Sequence, residues 1–140
     1  MTRQFLNQVM LAGAMLLPAL ASAEVVVVVH PSVSVAGSKD DVANLFLGKA
    51  SALGGVSLTP IDQEEGSDAR EEFYQKAAGK SQAQLNAYWS RIVFTGKGQP
   101  PREAGDDDGI KESIAKNKGL IGYIDSDALD SSVKKVMSVK

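Results

Sequence analysis

Residues 56–73, VSLTPIDQEEGSDAREEF, contain the change from strand to helix on which the fold prediction depends. Val56–Ile61 alternates apolar and polar side chains, which is typical of a strand. The glycine and charged residues that follow indicate a loop, and a helix is predicted to start near Ser67. In open α/β sheets a ligand lies beyond the carboxyl ends of the strands, so the junction Ile61–Arg70 is the first place to look for a site.

Strand-like segments also occur on both sides of this junction. Val25–Val29 is a β-branched run followed at once by His30 and Pro31, and it predicts a buried strand. Leu120–Ile124 predicts another strand, and Val133–Val139 predicts a short final one. Strands separated by helical segments predict an α/β fold with a mostly parallel sheet flanked by helices.

Four helices are predicted from their N-terminal signals and from apolar residues at helical spacing. Ser38 with Asp41 and Ser81 with Gln84 are capping-box patterns that begin two helices. A third helix is expected to start near Ser67, and the negative charge of Asp106–Asp108 suits the start of the fourth. Gly48 and Gly119 are expected at the C-terminal ends of the first and last of these helices. The segment Gly96–Gly105, which is rich in proline and glycine, is expected to be a loop.

The N-terminus has the three parts of a secretory signal. Arg3 supplies a positive residue, Phe5–Leu20 is mostly apolar with no acidic residue, and Ala21-Ser22-Ala23 offers the small residues of a cleavage site. The alternative is an uncleaved anchor, which needs about 20 apolar residues. We therefore expect residues 1–23 to be a cleaved signal peptide and residues 24–140 to form one exported domain.

Composition excludes several classes of function. The chain has 15 Lys and Arg against 17 Asp and Glu, a net charge of −2, one His and no Cys. A net negative charge argues against nucleic acid as a partner, because phosphate backbones require a basic face. One histidine without cysteine gives no support to Ser–His or Cys–His catalysis. No nucleotide-binding glycine pattern is present. The sequence therefore predicts a protein that is not an enzyme and needs no cofactor or metal.

Four segments together resemble phosphate ABC-transporter substrate-binding proteins of the type II periplasmic binding protein superfamily. The segments are Asn44–Lys49 (NLFLGK), Pro60–Phe73, Tyr88–Pro101 and Asn117–Ile124. The resemblance implies a fold of two α/β lobes that close on a ligand, of which this chain is little more than one lobe. It also implies a periplasmic solute-binding module for phosphate or a related oxyanion, with a membrane transporter or sensor as partner in ABC-type uptake or sensing.

The resemblance places the oxyanion at the start of the Ser67 helix and implies ligand-binding roles for Gly66, Ser67, Asp68, Ala69 and Arg70. Physical chemistry supports this position independently, because a helix N-terminus offers unpaired N–H groups and a partial positive charge. The Ser67 hydroxyl can donate to an oxyanion, and Gly66 allows the backbone to come close. Arg70 can make a two-pronged contact.

An alternative remains open at the same residues. Asp68 and Ala69 stand where the family has Gly and Thr, and acidic residues crowd positions 64–72. In this alternative Asp68 and Glu71 form a capping box that occupies the free N–H groups. Arg70 then pairs at the surface with Glu65, Glu71 or Glu72. The protein would be a ligand-free interaction module that docks onto another envelope protein.

The remaining polar and aromatic features have ordinary structural interpretations. His30 is interpreted as a strand-end residue, and Asp106–Asp108 as a helix start that lacks the spaced ligands of a Ca²⁺ loop. Lys97–Arg102 is interpreted as a solvated loop. Tyr88 and Trp89 are expected to pack in the core from one helix.

Overall fold

The computed structural model describes residues 24–140. The predicted signal peptide, residues 1–23, lies outside the described residues. In chain order the elements are β1 (Val25–Val29), α1 (Lys39–Phe46), β2 (Ala52–Leu53), β3 (Val56–Ser57), β4 (Thr59–Asp62), α2 (Asp68–Ala78), α3 (Gln82–Phe94), β5 (Arg102–Glu103), α4 (Asp107–Lys116), β6 (Leu120–Asp125), a 3₁₀ turn (Ser126–Ala128) and β7 (Lys134–Val139).

Five of these strands form the main sheet, in the order β5-β4-β6-β1-β7. β4 is parallel to β5 and to β6, whereas β1 is antiparallel to both β6 and β7. Four strands therefore run in one direction and only β1 runs in the other. The predicted α/β fold with a mostly parallel sheet is confirmed, and β1 is the one strand that departs from the parallel direction.

Helices cover both faces of the sheet, and β1 shows this most clearly. All five of its valines are at most 1% exposed. Val25, Val27 and Val29 belong to the core cluster that includes residues of α1, α2 and α3, while Val26 and Val28 belong to the cluster on the side of α4. Successive side chains of a strand point to opposite faces, so an all-apolar run fits a strand buried on both sides.

The predicted helix starts are confirmed at all four capping residues. Ser38 and Ser81 form complete capping boxes with Asp41 and Gln84, whereas Ser67 and Asp106 each accept one backbone N–H. At the other end of α1, Gly48 has a φ of 74° just after the C-cap Leu47. A glycine adopts this left-handed conformation without the steric penalty of a Cβ, as expected at a helix end.

Three local predictions are wrong. Val56–Ile61 is not one strand, because the backbone changes partner at Leu58: Leu58 N–H donates to Ser51 O and Thr59 N–H donates to Gly119 O. Gly119 does not cap α4, which ends instead at an extended Asn117. The segment predicted as a loop from Gly96 contains β5, which pairs with the end of β4.

Within residues 24–140, none of the helices has the length and apolar character needed to cross a membrane.

Candidate functional site

The predicted site lies at the N-terminus of α2, just beyond the end of β4. Gly66 has a φ of 91°, and a Cβ added there would meet no atom within 4 Å, so the loop faces open space. Ser67 is the N-cap and its Oγ accepts a hydrogen bond from Arg70 N at 3.0 Å. The same hydroxyl donates to Gln63 Oε1 at 2.8 Å. The hydroxyl expected to bind an anion is therefore already hydrogen-bonded within the protein.

Asp68 and Ala69 are the first two residues of α2. Asp68 is exposed and Ala69 is half-buried. The capping box predicted for Asp68 and Glu71 is not formed, because Ser67 is the capping residue. The serine cap satisfies only one of the first-turn donors, and within residues 24–140 no hydrogen bond joins the Asp68 side chain to an N–H group of this helix end.

Arg70 is only 7% exposed and points beneath the loop rather than to the surface. Its Nη1 donates to Gln63 O at 2.9 Å and to Glu103 Oε1 at 3.0 Å. The predicted surface pairing of Arg70 with Glu65, Glu71 or Glu72 is therefore wrong, because β5 brings Glu103 next to the guanidinium. Glu72 instead pairs with Lys76 one turn along the helix.

A buried carboxylate lies close to this arginine. Asp62, the last residue of β4, is 2% exposed and accepts hydrogen bonds from Tyr123 Oη at 2.5 Å and Tyr74 Oη at 2.8 Å. Burial raises the pKa of the Asp62 carboxyl, while the Tyr123 hydrogen bond and the charge of Arg70 act in the opposite direction. Burial also raises the pKa of both tyrosines well above their ordinary value, so they are neutral donors at physiological pH.

Gln63 connects this network to the neighbouring elements. Its side-chain Nε2 donates to Asp107 Oδ1 at 2.6 Å and to Tyr123 O at 3.1 Å. Its backbone N–H donates to Tyr123 Oη at 3.1 Å. Both side-chain polar atoms of this 2% exposed residue are therefore satisfied, which fixes the loop between β4 and α2 against β6 and α4.

The structure thus brings the five predicted residues together at one helix end and adds a polar network that sequence reasoning missed. The missed residues are Asp62, Gln63, Tyr74, Glu103 and Tyr123. Asp62 and Gln63 could have been found from the sequence, because they are polar residues at the carboxyl end of a predicted strand, where α/β sheets place their sites. No comparable signal existed for Glu103 or Tyr123, whose positions depend on strand order.

The other sequence interpretations can be placed on this structure. Asp106 caps α4 through Gly109 N, which confirms the helix-start interpretation of the three aspartates. Trp89 is 8% exposed and belongs to the core, and Tyr88 is half-buried with its hydroxyl on Leu47 O. Among the described residues, no group of three or more His, Asp or Glu side chains is arranged to hold a metal ion.

Several solved structures with a similar fold are described as phosphate-transport proteins. A phosphate ABC transporter substrate-binding protein with bound phosphate from Clostridium perfringens matches with a TM-score of 0.62 and 18% identity, over 81% of this chain and 44% of its own. An ABC-type phosphate transport receptor from Vibrio cholerae matches with a TM-score of 0.62 and 14% identity, over 81% and 45%. PstS from Borrelia burgdorferi matches with a TM-score of 0.58 and 9% identity, over 81% and 46%.

These matches confirm the resemblance at the level of fold. The protein has the α/β fold of substrate-binding proteins of phosphate ABC transporters, and it spans less than half the length of each of these solved structures. No protein-family model matches the chain, and no curated protein sequence matches it.

Proposed function

We propose that this protein is an exported solute-binding module that takes phosphate or a related oxyanion at Gly66–Arg70 and works with an ABC-type transporter or sensor. It is not an enzyme in this proposal, because solved structures that share its fold are substrate-binding proteins. The fold shared with phosphate-transport receptors supports the class of function.

One observation supports the site itself, namely the open N-terminus of α2 with a buried arginine beneath it. The backbone N–H groups of Asp68 and Ala69 begin an 11-residue helix directly after the Gly66 loop. Such groups bind anions through hydrogen bonds and the helix dipole. Arg70 supplies a positive charge that its burial keeps in place, and its Nε–H has no hydrogen-bond partner within residues 24–140.

The acidic side chain of Asp68 opposes an anion at this position. We expect Asp68→Gly with Ala69→Thr to tighten phosphate binding, because the change removes a negative charge and adds a hydroxyl donor at the helix start. The measurement is a calorimetric phosphate titration of the wild type and the double variant. Equal or weaker phosphate binding by the double variant contradicts the proposed site. The substitutions remove no group that would bind an anion, so weaker binding could not be explained by such a loss.

Arg70→Ala tests the same site by loss. We expect no heat of phosphate binding for this variant, whereas Arg91→Ala, which removes an exposed arginine of α3, should bind as the wild type does. Circular dichroism establishes that both variants are folded. If the wild type itself gives no heat with phosphate, sulfate or other tetrahedral anions, the oxyanion proposal is wrong.

A second function is favoured by a specific observation. The Ser67 hydroxyl and the Arg70 Nη1 group, both expected to bind an anion, already have partners inside the protein. This arrangement suits an interaction module that retains the fold without a ligand. A melting temperature that does not change across an oxyanion panel supports this second function. A ligand at 100 times its Kd would instead add about 2.7 kcal/mol.

A further inference from the structure

Two adjoining cavities lie beside α3 and the segment that leads to β5, the larger against α2 and the smaller against α1 and β4. The larger, of about 730 Å³, is lined by residues that include Arg70, Val93, Phe94 and Glu103. The smaller, of about 350 Å³, includes Gly48 and lies against β4. Trp89, Pro100 and Pro101 line both, so the two cavities form one groove with Trp89 as the shared wall. Both volumes are of the order found for binding pockets.

Two buried donors on this groove lack partners. Within residues 24–140, the only buried side-chain nitrogen or oxygen atoms without a hydrogen bond are Arg70 Nε and Trp89 Nε1. Arg70 and Trp89 are 7% and 8% exposed, and both line the larger cavity. Both atoms are closed off from solvent, so a ligand in the groove does not reach them as the side chains stand.

The outer wall of the groove is apolar and exposed. Phe94 is 92% exposed and Val93 is 42% exposed, and both end α3 at the mouth of the larger cavity. Pro100 and Pro101 form the facing wall. A phenylalanine left in water beside a cavity is typical of a surface that a partner covers.

Charge limits the partner further. Glu65 and Glu103 lie at the same mouth, and the single cation there, Arg70, is already paired with Glu103. A free carboxylate on the partner would be repelled by these two acidic side chains. A basic side chain on the partner would complement Glu65 and Glu103.

We propose that this groove docks a peptide segment of a partner protein in which apolar side chains follow a basic one. The apolar side chains pack against Phe94, Val93 and the two prolines. The basic side chain lies between Glu65 and Glu103. This surface is distinct from the helix end proposed for phosphate, although Arg70 contributes to both.

Trp89 is the only tryptophan of the chain, so its fluorescence reports on the groove alone. The probe is a capped peptide, Gly-Gly-Lys-Leu-Phe-Gly-Gly, titrated into the purified protein. We expect a saturable change in emission, and about fivefold weaker binding when glutamate replaces the lysine, a difference that shrinks as salt rises. A peptide with two serines in place of leucine and phenylalanine should not bind. No saturable change with the first peptide, or equal binding of all three, overturns the proposal.

Two matched surface variants separate this proposal from the phosphate site. Phe94→Ser should abolish peptide binding and leave phosphate binding unchanged. Leu129→Ser removes another exposed apolar side chain, 37% exposed and outside the groove, and should change neither. Peptide binding that survives Phe94→Ser overturns the proposal. The proposal is also overturned if sedimentation shows a wild-type dimer that Phe94→Ser converts to a monomer, because the groove then binds a second copy of the chain.

Discussion

At the scale of single residues, the centre of the candidate site is the buried carboxyl group of Asp62. Asp62 is held by two tyrosine hydroxyls, and Tyr123 stacks on Phe73 with ring centroids 4.1 Å apart. The polar network is thereby joined to the aromatic core. Removal of one member leaves a buried group unpaired, which costs about 1–3 kcal/mol.

The titration of Asp62 should make the free energy of unfolding fall as pH rises. Burial raises its pKa in the folded protein above the unfolded value near 3.8. As pH rises from 3.8 to that raised pKa, the unfolded state loses its proton first, so the free energy of unfolding falls through this window and is constant above it. Urea unfolding across this pH range should show the fall in the wild type and not in Asp62→Asn. Parallel curves for the two proteins contradict the assignment.

Asp130 provides the opposite case in a separate pH range. Hydrogen bonds from the Ser132 hydroxyl and from Lys111 lower the pKa of its carboxyl to about 2. Its contribution to stability is complete above the unfolded value of 3.8 and is lost as pH falls from 3.8 to about 2. We expect Asp130→Asn to reduce that acid-side loss without changing the behaviour above pH 3.8. If Asp130→Asn changed the free energy of unfolding only above pH 3.8, the assignment of the two pH ranges to Asp130 and Asp62 would be wrong.

At the scale of elements, each helix is fixed at its start by a local cap and along its length by the sheet. The Ser67 cap differs from the Ser38 cap, because the Ser67 hydroxyl also donates to the buried Gln63. The Ser67 cap therefore ties the start of α2 to the buried Gln63, whereas the exposed Ser38 cap bonds only within its own helix start.

Ser67→Ala should destabilise the protein more than Ser38→Ala. Loss of either cap costs about 0.5–2 kcal/mol. Ser67→Ala additionally leaves Gln63 Oε1 without its donor, which adds about 1–3 kcal/mol. Chemical unfolding of both variants measures the difference. Equal losses for the two variants would show that the hydrogen bond to Gln63 contributes nothing.

The contact of α4 with the sheet depends on a glycine in β6. A Cβ added at Gly122 would lie 2.7 Å from Ile110 Cγ2 and 3.3 Å from Ile114 Cδ1. We expect Gly122→Ala to destabilise the protein by about 1–3 kcal/mol through overpacking. Combined with Ile110→Ala, which removes the clashing methyl, it should cost less than the sum of the two single changes. Additive losses in a double-mutant cycle would exclude this contact as the cause.

At the scale of the whole molecule, residues 24–140 form a five-stranded sheet with helices on both faces and two apolar clusters. The same fold occurs in phosphate-transport receptors, and the matched part of this chain covers 44%, 45% and 46% of the three reported ones.

The export proposal is tested on the intact protein. When the full sequence is produced in a Gram-negative host, mass spectrometry of the periplasmic fraction should give a protein that begins at Glu24. The reason is that Ala21-Ser22-Ala23 presents small residues at the cleavage positions. Protein that keeps residues 1–23 and sediments with membranes would contradict cleavage.

The sequence by itself determined the positions of the helices and the longer strands, because caps, β-branched runs and apolar spacing act between residues close in the chain. Only the tertiary structure decided that β1 runs against the sheet, that Glu103 pairs with Arg70 and that Tyr123 binds Asp62. These partners are 33 and 61 residues apart in sequence. Their meeting depends on strand order, which local patterns do not specify. The unpaired donors of Arg70 and Trp89 are likewise a property of the packed chain, because only folding shows which buried groups lack a partner.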